Sequence, residues 1–164
     1  MAIEDLYQFA AGHATDIVFH LPRLRWLASL HGRVTEFGVR QGVSTIAMLA
    51  GNPNVISYDV DLCDNEGFIR AECPNWTFIQ GSTLEVEIDE TDMLFIDTVH
   101  TYDQLSAELE RHAHKVTRTI VLHDTYGVDV DTDVRGMWRA IDESGWRVVF
   151  DEPECNGLTV LCES

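Results

Sequence analysis

Asp97 and His100 in FIDTVHTYDQL, and His123 and Asp124 in IVLHDTYG, place an acid beside an imidazole at the end of two apolar runs. If those runs are neighbouring strands of one parallel sheet, roughly 4.8 Å apart, Asp97 and Asp124 can share one cation. Oxygen ligands of this kind suit Mg2+ or a similar ion completed by water and substrate oxygens, not a closed zinc site. Either imidazole titrates near neutral pH and is a candidate general base. The plainer alternative makes Asp97 a strand terminus that caps the next helix and His123 a hydrogen-bonded core histidine. His13, His20, His31, His112 and His114 lack such a setting and read as surface or packing residues. His20 reaches the site only if the N-terminal helix folds over it.

A second set lies in VTEFGVRQGVSTIAMLAG, residues 34 to 51, where Glu36, Gly38, Gly42 and Ser44 form the frame ExGxxxGxS. A Walker loop needs GxxxxGK[ST], but Val43 stands where its second glycine belongs and no lysine follows. A dinucleotide fingerprint needs GxGxxG, and Arg40 and Val43 occupy its later glycine positions. Gly38 and Gly42 still allow a sharp turn and a close ligand, and helix N-terminal amides with the hydroxyls of Ser44 and Thr45 face the crevice. Glu36 beside that loop repels a pyrophosphate and attracts an ammonium group. The cofactor that combines an ammonium, a sulfonium and a ribose without phosphate is S-adenosylmethionine.

Such a cofactor needs a carboxylate about twenty residues on, at the end of the second strand, to hold ribose hydroxyls. Asp59 in VISYDVD stands there, with Asp61 as a second candidate; the alternative is an acid that merely ends a strand at the surface. Gly81 and Ser82 in IQGST close the third strand and suit an adenine contact, although a plain turn explains a lone GS pair equally well.

Composition removes several classes. Acidic residues number 28 against 11 basic ones, with Lys115 the lone lysine, and a net charge of -17 repels a phosphate backbone. Nucleic acid is therefore not an expected partner. No run of apolar residues is long enough to span a membrane, and the N-terminus lacks a basic region followed by an apolar core. Cys63, Cys73, Cys155 and Cys162 form no CxxC pair, which fits reduced thiols in a cytoplasmic protein. No GxSxG elbow marks a serine hydrolase.

The elements that must position these residues follow from the apolar rhythm. Ile17, Leu21, Leu24, Leu27 and Leu30 recur at helical spacing, with Pro22 either kinking the helix or sitting in a first turn. With residues 3 to 11 this makes a helical brace or lid over residues 1 to 31. From residue 32 onward, RVTEFG, NVISYDV, WTFIQG, DMLFIDT and RTIVLHD are five strands alternating with helices, the pattern of a parallel sheet covered on both faces. WRVVFDE and GLTVLCE are joined too closely for a parallel crossover and form an antiparallel hairpin. Trp26, Trp76, Trp138 and Trp146 fit core or helix-sheet packing, and Met48, Met93 and Met137 fill gaps.

With ExGxxxGxS, FIDTVHTYDQLSAEL, IVLHDT and NGLTVL in this order, the chain resembles a class I S-adenosylmethionine-dependent methyltransferase. More narrowly it is similar to the small-molecule branch called methyltransferase family 24. The resemblance runs from about Thr15 to Glu163. It implies one α/β domain with a Rossmann-like, seven-stranded, mostly parallel sheet in the order 3-2-1-4-5-7-6, strand seven reversed. It implies Glu36 near the methionine amino group, Gly38 and Gly42 lining the cofactor, Asp59 on the ribose and Asp97 near the transferred methyl. In metal-using relatives, acids after strands four and five bind Mg2+, at the places of Asp97 and Asp124. The loop after strand four reads DTVH in place of a DGDH-like loop, and His123-Asp124 replaces two carboxylates. The expected activity is O-methylation of a sugar or other hydroxylated small molecule. A cofactor-binding module without transferase activity is the competing class, and a nicotinamide oxidoreductase a distant third. A homo-oligomer is left open.

Overall fold

The computed structural model describes residues 2–12, 15–127 and 131–163. His13 lies outside the described residues. Helix α1 (Ile3–Ala11) is followed by a 3-10 turn (Asp16–His20) and α2 (Leu21–Ser29). Pro22 sits in the first turn of α2, where its missing N–H costs nothing, so the N-terminal segment forms separate short helices. The core then runs β1 (Val34–Phe37), α3 (Val43–Gly51), β2 (Val55–Asp59), α4 (Glu66–Glu72), β3 (Thr77–Gln80), β4 (Thr91–Ile96), α5 (Tyr102–His112), β5 (Val116–His123), α6 (Val134–Glu143), β6 (Arg147–Glu152) and β7 (Leu158–Cys162).

All seven strands join one sheet in the order β3-β2-β1-β4-β5-β7-β6. The first five are mutually parallel, and β7 runs antiparallel to both β5 and β6, as the short connection around Pro153 requires. Strand alternation divides the core in two. Phe95 and Val121 face α1, α2 and α3, where Leu24, Met48 and Ile46 meet them, while Leu94, Ile96, Ile120 and Leu122 face Leu105, Leu109, Met137 and Ile141 of α5 and α6. Helix α5 starts where Thr101 accepts the Gln104 amide, and α6 where Asp133 accepts that of Gly136.

Trp76 is buried and donates from Nε1 to Ser57 Oγ at 2.9 Å, but Trp26 departs from the packing role its spacing suggests. It is 55 % exposed, because the arc of α2 facing the sheet is already filled by Leu21, Leu24, Leu27 and Ala28. All four cysteines are free. No described helix is long and apolar enough to cross a membrane.

Helices α2 and α3 meet so closely that a Cβ on Gly51 would lie 2.1 Å from the Arg25 carbonyl oxygen. Alanine at this position gains about 1 kcal/mol of helix propensity and loses about 1–3 kcal/mol to overpacking. Gly51→Ala is therefore expected to lower the urea midpoint; an unchanged or raised midpoint would contradict this contact.

Candidate active site at the carboxyl ends of the strands

The loop from β1 to α3 is built by two left-handed glycines, Gly38 (φ 86°) and Gly42 (φ 78°). A Cβ on Gly38 would lie 2.0 Å from the Asp97 carbonyl oxygen, so only glycine lets β1 run on beside the end of β4. Asp59, at the end of β2, holds this loop from the other side. Its Oδ2 accepts the amides of Val39 (2.6 Å) and Arg40 (3.0 Å), and its Oδ1 accepts the Asp61 amide at 3.0 Å. The Asp59 carbonyl in turn accepts the Gly81 amide at 2.8 Å, which links the end of β3 to the same crevice. Ser82 Oγ accepts the Leu84 amide and shapes that turn.

Glu36, Ser44 and Thr45 are arranged differently from what the motif suggests. Glu36 is 0 % exposed, and the hydroxyls of Ser44 and Thr45 turn inward to it instead of facing the crevice. Ser44 Oγ donates to Oε1 at 2.6 Å, Thr45 Oγ1 to Oε2 at 2.7 Å, and Ser57 Oγ of β2 to Oε2 at 2.5 Å. The physical reason is the cost of an unpaired buried carboxylate, which recruits the nearest donors on the first turn of α3 and on β2. Burial pushes the Glu36 carboxyl up to about 7, against the opposing pull of the three hydroxyls and with help from the nearby Asp97 charge. Glu36 thus lies beneath the loop as a buried charge, with no face open to a ligand.

The acid-imidazole pairs do converge. His100 Nε2 is 3.3 Å from Asp97 Oδ1 and 3.0 Å from Asp124 Oδ2. From below, His123 Nδ1 is 3.4 Å from Asp97 Oδ1 and 3.3 Å from Asp124 Oδ1. Asp124 has φ 57°, a left-handed turn that aims its carboxylate back at β4. Burial opposes charge on these groups, but the mutual contacts win. Asp97 is held well below the usual carboxylate range by both histidines; His123 is pushed up to about 10 by Asp124 and Asp97, and His100 is raised by the same two acids. His123 is only 1 % exposed and His100 is the more open imidazole. His123 is thus enclosed between two carboxylates, and His100 is the imidazole open to solvent. One oxygen-only expectation fails: an imidazole stands among the three groups, Asp97, His100 and Asp124, whose ligand atoms lie within 4.8 Å of one another. That donor set does not fit Mg2+, which prefers a near-octahedral shell of oxygens.

Residues outside the motifs complete the site. Glu108 of α5, wholly buried, accepts from Thr83 Oγ1 at 2.6 Å, Thr98 Oγ1 at 2.9 Å and Gln104 Nε2 at 2.8 Å, and so ties the loops after β3 and β4 together. The signal was present in the sequence: Glu108 falls between Leu105 and Leu109 on the apolar arc of α5. His20 is buried with its ring 5.4 Å from that of His123, and its Nε2 lies 3.0 Å from the Glu154 carbonyl. The N-terminal segment therefore does fold over the site. Thr15 to Ile17 line a narrow crevice together with Val39 to Gln41, Ser44 and Asp97. A wider groove near Arg33, Asn54 and Asp92 lies at the opposite ends of the strands. There Arg33 donates to the Glu90 carbonyl, and Asp92 accepts the amides of Gly32 and Arg33.

No family model and no curated protein matches the sequence. Solved structures do match the fold. Cofactor-bound Rv0187 from MTB superposes with a TM-score of 0.72 at 16% identity, over 99% of this chain and 90% of that one. An O-methyltransferase from Bacillus cereus in complex with SAH gives 0.67 at 14% identity, over 98% and 89%. The 1,6-didemethyltoxoflavin-N1-methyltransferase of Burkholderia thailandensis gives 0.69 at 12% identity, over 88% and 78%. At these identities the shared property is the architecture, and the chain has the Rossmann-like fold of class I methyltransferases.

Proposed function

We propose that the chain is an S-adenosylmethionine-dependent methyltransferase whose acceptor is a hydroxyl of a sugar or other hydroxylated small molecule. The observation that carries this reading is the contact of Gly38 with the Asp97 carbonyl. It sets the glycine loop, the end suited to the methionine moiety, directly beside the acid-imidazole cluster. The fold neighbours with SAH, from Bacillus cereus and Burkholderia thailandensis, support the choice of cofactor. Residues 1–31 then serve as a brace over an α/β core of residues 32–164, the whole forming one methyltransferase domain.

In this reading the amides of the glycine loop and the start of α3 bind the methionine end, Asp59 reaches the ribose, and Gly81 and Ser82 flank the adenine. Glu36 acts through space, its charge attracting the cofactor ammonium from beneath the loop. Transfer is an in-line displacement. The acceptor oxygen forms a bond to the methyl carbon as the carbon–sulfur bond breaks, its electron pair staying on sulfur to leave neutral S-adenosylhomocysteine. The acceptor proton is drawn off at the cluster of Asp97, His100 and Asp124, with His123 holding the two carboxylates in register. A protein that binds the cofactor without turning over any acceptor is the competing class, and the measurements below separate the two.

Glu36 titrates near 7 in the free protein, and an ammonium ligand favours its ionised form. Affinity for S-adenosylhomocysteine, measured by calorimetry, should therefore rise about tenfold from pH 6 to pH 8. Glu36→Gln should flatten that rise. Absence of binding to the wild type at every pH would end the methyltransferase reading. With a panel of hydroxylated acceptors, Asp97→Asn and His100→Ala should each lower kcat by about 100-fold or more while changing cofactor affinity only a few-fold. Turnover unaffected by both variants would remove the cluster from the reaction, and binding without turnover would favour the non-enzymatic class.

A further inference from the structure

Strand β6 is one edge of the sheet and carries neither proline nor lysine, two residues that commonly guard an open edge. Its register on β7 shifts between Val148 and Phe150. The shift breaks the alternation of the strand, so Val149 and Phe150, although consecutive, both line a groove against α2. A bulge can turn an edge away from a partner; here it also adds an apolar side chain to the α2 face. Phe150 is covered by the Arg23 guanidinium, 4.0 Å from its ring centre, whereas Val149 is 47 % exposed. Trp26 and Leu30 of α2 line the same groove and are 55 % and 48 % exposed. Three large apolar side chains thus share one unpartnered face, which sets them apart from singly scattered surface residues.

We infer that a second copy of the chain docks on this face, the two β6 strands running antiparallel across a two-fold axis at or beside Val149. The charge pattern selects that occupant. A net charge of -17 makes copies repel one another, so a contact between them needs a face poor in acids. Acidic residues outnumber basic ones 28 to 11, yet among the described residues that line the groove none is acidic, and Arg23 and Arg118 are cationic. The strand RVVFDE is also complementary to itself. Read antiparallel with Val149 on Val149, it sets Arg147 opposite the partner's Asp151; with Val149 on Phe150, it sets Arg147 opposite the partner's Glu152. Either register pairs opposite charges at both ends and keeps Val149 in the uncharged middle. Such a contact is isologous, so the α2 helices that flank the two edges meet as well, and Trp26 and Leu30 of each copy are covered by the other. Thr119 and Cys162 in the groove are paired toward the amino end of β5, away from the acid-imidazole cluster, so the contact is independent of the methyltransferase reading.

The test is sedimentation equilibrium on the full chain without ligand, which should give twice the 18.5 kDa chain mass. Trp26→Ala and Val149→Asp, both at exposed positions, should each raise the dimer dissociation constant about 30-fold or more. Arg147→Asp should raise it at low ionic strength, by a factor that shrinks as salt is added. Phe68→Ala, exposed on α4 between β2 and β3 at the other end of the sheet, should dimerise as wild type. Circular dichroism checks that each variant is folded. A wild type that stays monomeric at about 100 μM, a dimer that survives both Trp26→Ala and Val149→Asp, or growth into assemblies longer than two would each overturn the inference. In the monomeric case, a glutamate-rich peptide that binds wild type and not Trp26→Ala would identify an acidic partner as the occupant instead.

Discussion

A carboxylate sealed into the middle of a sheet is the constraint around which the loop from β1 to α3 is built. Glu36 sits on β1, the strand between β2 and β4, and no charge can rest there without donors. Its three partners come from two different elements, the first turn of α3 and the neighbouring strand β2. The position of α3 over the sheet, the register of β1 on β2 and the inward rotation of Ser44 and Thr45 are thereby fixed together. The turn that joins β1 to α3 must then be tight, and the left-handed Gly38 and Gly42 supply it.

From that turn the rest of the site follows by adjacency. Asp59 binds the loop amides, Gly81 binds the Asp59 carbonyl, and Asp97 packs its carbonyl where a side chain on residue 38 would stand. Four neighbouring strand ends are thus connected through backbone groups before any ligand is considered. Glu108 adds a second, hidden connection between the loops after β3 and β4. Pre-organisation of this kind lowers the cost of ordering the site when a ligand arrives.

The legible part of the sequence was the part governed by period and connection length. Alternating apolar runs located the strands, and the few residues around Pro153 were too short for anything but an antiparallel hairpin. Spacing also brought Asp97, His100, His123 and Asp124 to one place, because each ends or follows one of two adjacent parallel strands. Side-chain direction was not legible. Ser44 and Thr45 lie at a helix start, where a hydroxyl serves a ligand or a buried acid equally well, and only the position of Glu36 decides. Trp26 is exposed because smaller side chains had already filled its helix face, a competition for space that hydropathy alone does not express. The place of Glu108 between Leu105 and Leu109 marks it as inward-facing, but its partners Thr83 and Thr98 arrive from distant parts of the chain and carry no local signal.

The two buried acidic centres solve one electrostatic problem in different ways. Glu36 is a single acid surrounded by neutral donors, so it relieves its burial by titrating near neutrality. Asp97 and Asp124 are two acids at close range, where hydroxyls alone do not offset like-charge repulsion, and cations must intervene. The imidazole of His123 meets both acids from inside the core, and that of His100 meets them from the open side. A buried cation fixes the carboxylates in place, whereas a partly exposed imidazole leaves its position to be shared with whatever enters from solvent. His100 is the more open of the two imidazoles, so a group arriving from solvent meets the cluster on that side, away from the buried ring of His123.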